Sequence, residues 1–317
     1  MGDTDFAQPV SGRAKEIEYV SAGDVESAVS SMIDAAVDAQ HYEASMTSGY
    51  SRGTNVPELT DASDYDWIKA YFEPLYDREP NNASDMADAV GATKESLESG
   101  RTTVISQATS MVEKWAGEAQ HDFKKYFLDP FPNAITNQKA VVDELRVALH
   151  IYEGVLRQAR VDAKKIADET KKVLDSLNDC TADDWKVALG LIGVAAAVVG
   201  AIPTGGASLG IAGAMALVGA GASLTTTAID AANIEGGSVS SVLNSCKDAL
   251  EKAREQMTSE EQAIADALND SNSGIDGVLS QTDPLDVATV LPHEPTGDGT
   301  PNLTDGNTPG EDGWHRN

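Results

Sequence analysis

The sequence has few aromatic residues, few cysteines and little positive charge. Aromatic residues make up 5% of the 317 positions, and two residues are cysteines. Sheets are usually rich in aromatic and β-branched residues, so this composition favours helices. A formal net charge of -28 disfavours nucleic acid, whose phosphates attract clustered Lys and Arg. We therefore expect an all-α protein that does not bind nucleic acid.

The first ten residues, MGDTDFAQPV, contain no apolar run of the kind found in a secretory signal peptide. Phe6 stands where the N-myristoylation pattern requires Ser or Thr. Either the protein stays inside the cell, or it leaves by a route that uses no cleaved leader, in which case it is cytoplasmic before export and then secreted or at the cell surface.

Charge is absent from residues 187–229, a run of 43 positions that is rich in Gly and Ala. Pro203, Gly205 and Gly206 divide this run into two apolar arms, which predicts an apolar helical hairpin over residues 182–233. A helix needs about 20 residues to span a bilayer, so the first arm is too short and the second is long enough. The high content of Ala, Gly and Thr makes permanent insertion marginal. Two alternatives stay open: a hairpin buried in its own bundle or oligomer, and a hairpin that inserts conditionally into a membrane.

Apolar residues recur at helical spacing in the segments on both sides of the uncharged run. The strongest pattern runs from Val142 to Leu177 in steps of three and four, with Thr170 as its one polar residue. It predicts a supercoiled rod of roughly 60 Å over residues 136–177. Residues 238–274 are expected to form a C-terminal bundle helix antiparallel to this rod. The predicted fold is an elongated antiparallel helical bundle with long heptad-patterned helices.

The predicted organisation has five parts. They are an N-terminal segment (1–20), a helical bundle (21–181), the apolar hairpin (182–233), the C-terminal bundle helix (238–274) and a disordered acidic tail (281–317). The tail follows from composition, because five of the twelve prolines lie beyond residue 283 among Gly, Thr and Asp.

Cys180 and Cys246 lie on either side of the uncharged run. Two interpretations stay open. The cysteines form a disulfide between the helices that enter and leave the run, or they are two small buried residues.

Catalytic patterns are weak. Residues 206–210 match the G-x-S-x-G pattern, but no strand is predicted before Ser208 and the histidines after it lie in the predicted tail. Residues 200–206 resemble a phosphate loop but lack the following Lys-Ser or Lys-Thr. No histidine has a second ligand at metal-binding spacing. We expect no enzymatic activity, no catalytic residues, no metal site and no cofactor.

The sequence around Trp115-Ala116-Gly117 resembles the WXG100 family of type VII (ESX) secretion substrates. A predicted helix ends at this tripeptide, and Phe123 follows at helical spacing in the next helix. The resemblance covers residues 84–178. The wider plan also resembles the larger ESX secretion-associated effectors of actinobacteria, in which such a region leads into a Gly/Ala-rich apolar segment and a low-complexity tail.

The resemblance implies a virulence-associated effector exported as a folded hairpin, with Trp115, Gly117 and Phe123 contributing to recognition by the type VII machinery. It also implies a helical protein partner or a homo-oligomer. The family's export signal, Tyr-x-x-x-Asp/Glu, follows none of the eight tyrosines. One alternative is a helical pore-forming toxin of the long-bundle type, in which the apolar hairpin contacts a membrane. Another is a structural helical spacer or adhesin.

Overall fold

The computed structural model describes residues 7–48, 61–177, 186–189, 192–194, 226–228, 232–235 and 237–281, and most of these residues are α-helical. The chain forms two compact units. The first combines Met1–Lys94 with Ala140–Gly274, and the second combines Glu95–Lys139 with Ile275–Asn317. The described part of the chain is therefore predominantly helical, as the composition predicts.

The helices, in chain order, are α1 (Ala7–Glu16), α2 (Ala22–Ser48), α3 (Lys69–Tyr76), α4 (Pro80–Gly100), α5 (Ser106–Val112), α6 (Glu118–Phe123), α7 (Phe131–Leu177) and α8 (Val239–Gln281). A 3₁₀ helix, Ala62–Ile68, leads into α3. Two π-helical turns, Arg101–Ile105 and Lys124–Leu128, follow α4 and α6. The predicted N-terminal segment thus contains a helix, and the C-terminal bundle helix extends past residue 274.

The start of α2 shows how local sequence sets a helix end. The Asp24 backbone N–H donates to Ser21 Oγ at 3.1 Å, and the Ser21 backbone N–H donates to Asp24 Oδ2 at 2.9 Å. This reciprocal pair satisfies backbone N–H groups that have no partner inside the helix. The predicted helix from residue 21 is confirmed.

Long apolar stripes from α2, α7 and α8 meet in one hydrophobic core of the first unit. On α2, the residues Val25, Val29, Met32 and Ala36 are buried at the predicted spacing. Cys246 of α8 lies 4.0 Å from Met32, and its thiol is hydrogen-bonded to Thr170 of α7. Core packing rather than helix propensity therefore holds these helices together.

The predicted heptad stripe of α7 is buried only in its second half. Residues from Leu156 to Val173 on the stripe are buried, whereas Leu145 is 38% exposed. A regular α-helix has 3.6 residues per turn, so a 3.5-residue stripe drifts around a straight helix by about 20° per heptad. Thr170, the polar residue in the stripe, is fully buried and donates to the carbonyl of Ile166 at 2.7 Å.

Strands replace helix in the described parts of the predicted apolar hairpin. β1 (Lys186–Leu189) pairs antiparallel with β4 (Ala232–Glu235), and β2 (Ile192–Val194) pairs antiparallel with β3 (Thr226–Ala228). The prediction of helix over residues 182–233 is therefore wrong at these positions. Val, Ile and Thr favour extended backbone, and a short apolar run has no periodicity that separates strand from helix.

Candidate functional site

The two strand pairs form the base of the uncharged run, and we refer to them together as the ribbon. Val194 of β2 is the partner of Thr226 of β3. The two strands that flank residues 195–225 in the chain are therefore antiparallel and paired with each other. The backbone of these flanking strands is extended, whereas the predicted hairpin is helical. The predicted turn residues Pro203, Gly205 and Gly206 lie outside the described residues.

The ribbon is not uniform in register. Two residues separate β1 from β2 on the outgoing side, whereas three separate β3 from β4 on the return side. The return side therefore has one more residue between its strands than the outgoing side, and the two strand pairs form separate two-stranded sheets.

The return strand of the ribbon is anchored in the first unit. Ile234 of β4 is fully buried and belongs to the hydrophobic core. A few residues later, the Val239 backbone N–H donates to the Glu43 carboxylate at 2.9 Å. An acidic group at a helix N-terminus is favoured by the helix dipole. The uncharged run thus returns to a fixed point at the start of α8.

A second candidate site is the turn around Trp115. α5 ends at Val112, and Gly117, whose φ is +95°, precedes α6. A side chain is strained at this φ, so the glycine is required by the backbone. Gln120 donates to the Val112 carbonyl at 3.0 Å and so satisfies the end of α5.

The resemblance implies a hairpin in which a second helix follows this turn. In the structure, α6 and its π-helical turn end at Leu128, and the long helix α7 begins at Phe131. Pro130 and Pro132 lie at this second break, where proline disfavours a continuous helix.

Four aromatic side chains form a row in the second unit, and we refer to Trp115, Phe123, Phe127 and Phe131 as the aromatic row. Ring centroids of successive members are 5.6, 5.0 and 5.6 Å apart. Trp115 is 51% exposed and Phe127 is 40% exposed. The structure therefore brings Trp115 and Phe123, two of the residues that the resemblance names, together in an accessible apolar surface. Phe127 and Phe131 were missed, although their four-residue spacing from Phe123 is the helical signal that predicts them.

Cys246 lies in the core of the first unit as a free thiol. Burial raises its pKa to about 12, so the thiolate that would act as a nucleophile is disfavoured. This environment fits the second interpretation, a small buried residue. Cys180 lies outside the described residues, and the disulfide stays a prediction.

The described residues contain no group of three or more His, Cys, Asp or Glu side chains that could hold a metal ion. None of the described helices is both long enough and apolar enough to cross a membrane. No protein-family model, curated protein or solved structure matches the chain.

One buried carboxyl group faces another acidic residue across the α7–α8 interface. Glu260 of α8 is 4% exposed, and Gln256 donates to its carboxylate at 2.6 Å. The pKa of Glu260 is raised from 4.5 to about 7, mainly by burial and also by the negative charge of Asp162 on α7, while the hydrogen bond from Gln256 opposes the shift. The two helices therefore pack best when Glu260 holds a proton.

The variant Glu260→Gln tests this arrangement. Between pH values of about 4.5 and 7, the folded protein keeps the Glu260 proton, whereas the unfolded chain releases it. The free energy of unfolding therefore falls as the pH rises through this range. Glutamine does not titrate, so the variant does not lose stability in this way. At pH 8 we therefore expect the variant to be more stable than the wild type by up to about 3 kcal/mol. Urea unfolding at pH 4 and pH 8, followed by circular dichroism, measures the difference. The exposed neighbour Glu255→Gln is the control. Equal stability of wild type and Glu260→Gln at both pH values would contradict the account.

Proposed function

We propose that the protein acts on membranes without an enzymatic step, by transferring its uncharged run into a lipid bilayer. The observation that carries the proposal is the ribbon, which holds the two ends of the run together. β1 follows α7 in the chain and β4 precedes α8. In sequence, the run therefore connects the two longest helices of the described residues. An uncharged segment of this length supplies the apolar surface that insertion into a bilayer requires.

The length of the run supports an oligomeric membrane form. Residues 195–225 are enough for two membrane-crossing strands of about 10 residues each with a turn between them. A single strand pair in lipid would leave open edges with unsatisfied backbone groups, so several copies would have to close a barrel. A helical hairpin would also need several copies. Its first arm is shorter than the roughly 20 residues that span a bilayer, so it would be stabilised by packing against neighbouring helices. The function is then that of a pore-forming protein of the long-bundle type.

Release of a trapped dye from lipid vesicles by the full chain tests this function. We expect release together with ring-shaped or ladder-like oligomers after mild cross-linking. A chain that neither binds nor permeabilises vesicles between pH 5 and pH 8 would rule the function out.

A second candidate function is that of a type VII-like secreted effector, and the exposed aromatic row favours it. Aromatic side chains that remain accessible on a helical surface are common anchors in protein interfaces. In this function the row binds a helical partner or the type VII machinery, and the uncharged run is buried against a partner or oligomer. The two functions are compatible, since export delivers the protein to its target membrane.

The variant Trp115→Ala separates this role from a structural one. If Trp115 is an interface anchor, its loss costs binding at least about 1.4 kcal/mol, and we expect the exported fraction to fall at least about tenfold. The measurement is the ratio of extracellular to cellular protein in producing cells, with and without their secretion system. Trp67→Ala removes a tryptophan of similar exposure in the first unit and is the matched control. Equal export of both variants and the wild type would contradict the role.

A further inference from the structure

α4 and α7 run antiparallel in a fixed register of polar contacts. Arg157 of α7 donates to the Asn81 side chain at 3.5 Å, near the start of α4. About three turns further along, a Cβ placed on Gly91 would lie 3.0 Å from Nε of Arg146. Each step along α4 is matched by an equal step back along α7, so the contacts follow one continuous face of each helix.

Two ion pairs continue this register. Lys94 pairs with Asp143 at 2.7 Å, and both side chains are largely buried. Glu98 pairs with Lys139 at 2.8 Å, and the lysine is again largely buried. The contacts that fix α4 on α7 are therefore hydrogen bonds and ion pairs.

α4 contributes only two buried aliphatic side chains, those of Ala83 and Ala87. None of its side chains belongs to the apolar cluster that α2, α3, α7 and α8 form in the first unit. The buried residues of α4 are small or polar: Pro80, Ala83, Ser84 and Ala87. Its large apolar residue Met86 is exposed. Apolar burial, the main source of packing stability, is therefore small along α4 compared with α2 or α8.

Ion pairs are a weak substitute for apolar contacts. Removing two charges from water costs free energy that their attraction only partly recovers, so a buried pair adds little net stability. When α4 leaves α7, its charges return to water, where dissolved salt stabilises them further. The start of α4 remains tied, because Arg160 of α7 donates to the Arg78 carbonyl at 2.8 Å and to Glu79 at 3.1 Å.

We propose that α4 is a strap that detaches from α7 as a unit while the apolar core stays folded, and that ionic strength controls the detachment. Detachment pivots on the Arg160 contacts and uncovers the charged face of α7 that contains Asp143, Arg146 and Arg157. The strap gives the protein an open and a closed form of its first unit. This inference does not depend on either proposed function.

Hydrogen–deuterium exchange of the full chain tests the strap. At a salt concentration of about 20 mM, we expect amides of residues 83–97 to exchange at least about tenfold faster than those of residues 151–166 in the α7 core. At about 500 mM salt the α4 amides should exchange several-fold faster again, with the α7 amides unchanged. If the α4 amides and the α7 core amides exchange at equal rates at both salt concentrations, the proposal is overturned.

A pair of glycine variants on the same helix gives the matched comparison. Both Gly91→Leu and Gly100→Leu add helix propensity, but a side chain at Gly91 meets Arg146, whereas nothing lies within 4 Å of a Cβ at Gly100. We expect Gly91→Leu to speed exchange of residues 83–97 by at least about tenfold relative to Gly100→Leu, with residues 151–166 protected in both. Equal exchange of α4 in the two variants would overturn the proposal, and so would loss of protection in the α7 core of Gly91→Leu alone.

Discussion

Replacing Ala214 with aspartate should reduce dye release from vesicles roughly 100-fold. Ala214 lies in the second arm of the uncharged run, which has no Asp, Glu, Lys or Arg from residue 187 to 229. An aspartate at the centre of a bilayer-spanning segment costs about 2.5–3.5 kcal/mol, and each 1.4 kcal/mol is about a tenfold change in an equilibrium. If several copies must insert together, the loss is larger.

The matched control for Ala214→Asp is Thr258→Asp, which adds the same charge at an exposed position of α8. Both variants should keep the helical circular dichroism signal and the thermal midpoint of the wild type. Only Ala214→Asp should lose dye release. Unchanged release by Ala214→Asp would exclude insertion of the run, and equal loss in both variants would indicate that net charge, not the run, controls membrane contact.

Replacing Arg160 with methionine should cost about 3–5 kcal/mol of stability, the range expected when one partner of a buried charged network is removed. Arg160 is 2% exposed. Its guanidinium donates to the Tyr76 carbonyl at 3.0 Å, at the end of α3, and to the Val20 carbonyl at 3.4 Å, before α2. Arg160 also donates to the Arg78 carbonyl and to Glu79. One side chain thus satisfies backbone carbonyls in two separate segments, one before α2 and one between α3 and α4.

Methionine fills a similar length but donates no hydrogen bond, so these carbonyls stay buried without a partner. The urea midpoint of the full chain, followed by circular dichroism, measures the loss. The exposed Arg254→Met on α8 is the control and should change stability by less than about 0.5 kcal/mol. A variant Arg160→Met as stable as Arg254→Met would show that the carbonyls find water or other donors.

Several elements follow from short-range sequence signals. The start of α2 is predictable because Ser21 and Asp24 lie three residues apart, and α8 begins at Val239 as its periodicity indicates. The aromatic row is also a local signal, since Phe123, Phe127 and Phe131 repeat every four residues. These features depend on neighbours along one helix, where spacing alone fixes which side chains meet.

Other features depend on pairings that spacing does not reveal. The Arg160 contacts join residues 81 to 140 positions apart, and no local pattern marks that arginine among the other basic residues of α7. The ribbon was predicted as helix because runs such as Lys186–Leu189 are too short to show a period. Its backbone conformation is set by the partner strand some 45 residues later in the chain. The acidic contact between Glu260 and Asp162 is likewise a product of how α7 and α8 pack.

The depth of one fluorescent label tests the central claim most directly. A Cys180→Ser chain with Ala214→Cys carries an environment-sensitive dye in the uncharged run, while the buried Cys246 thiol stays unlabelled in the folded protein. A label at Thr258→Cys in the same background is the reference. With vesicles, the account predicts a blue shift at position 214 and quenching by lipid-attached quenchers, and neither change at position 258. A label at position 214 that remains in water while the protein is bound to vesicles would contradict it.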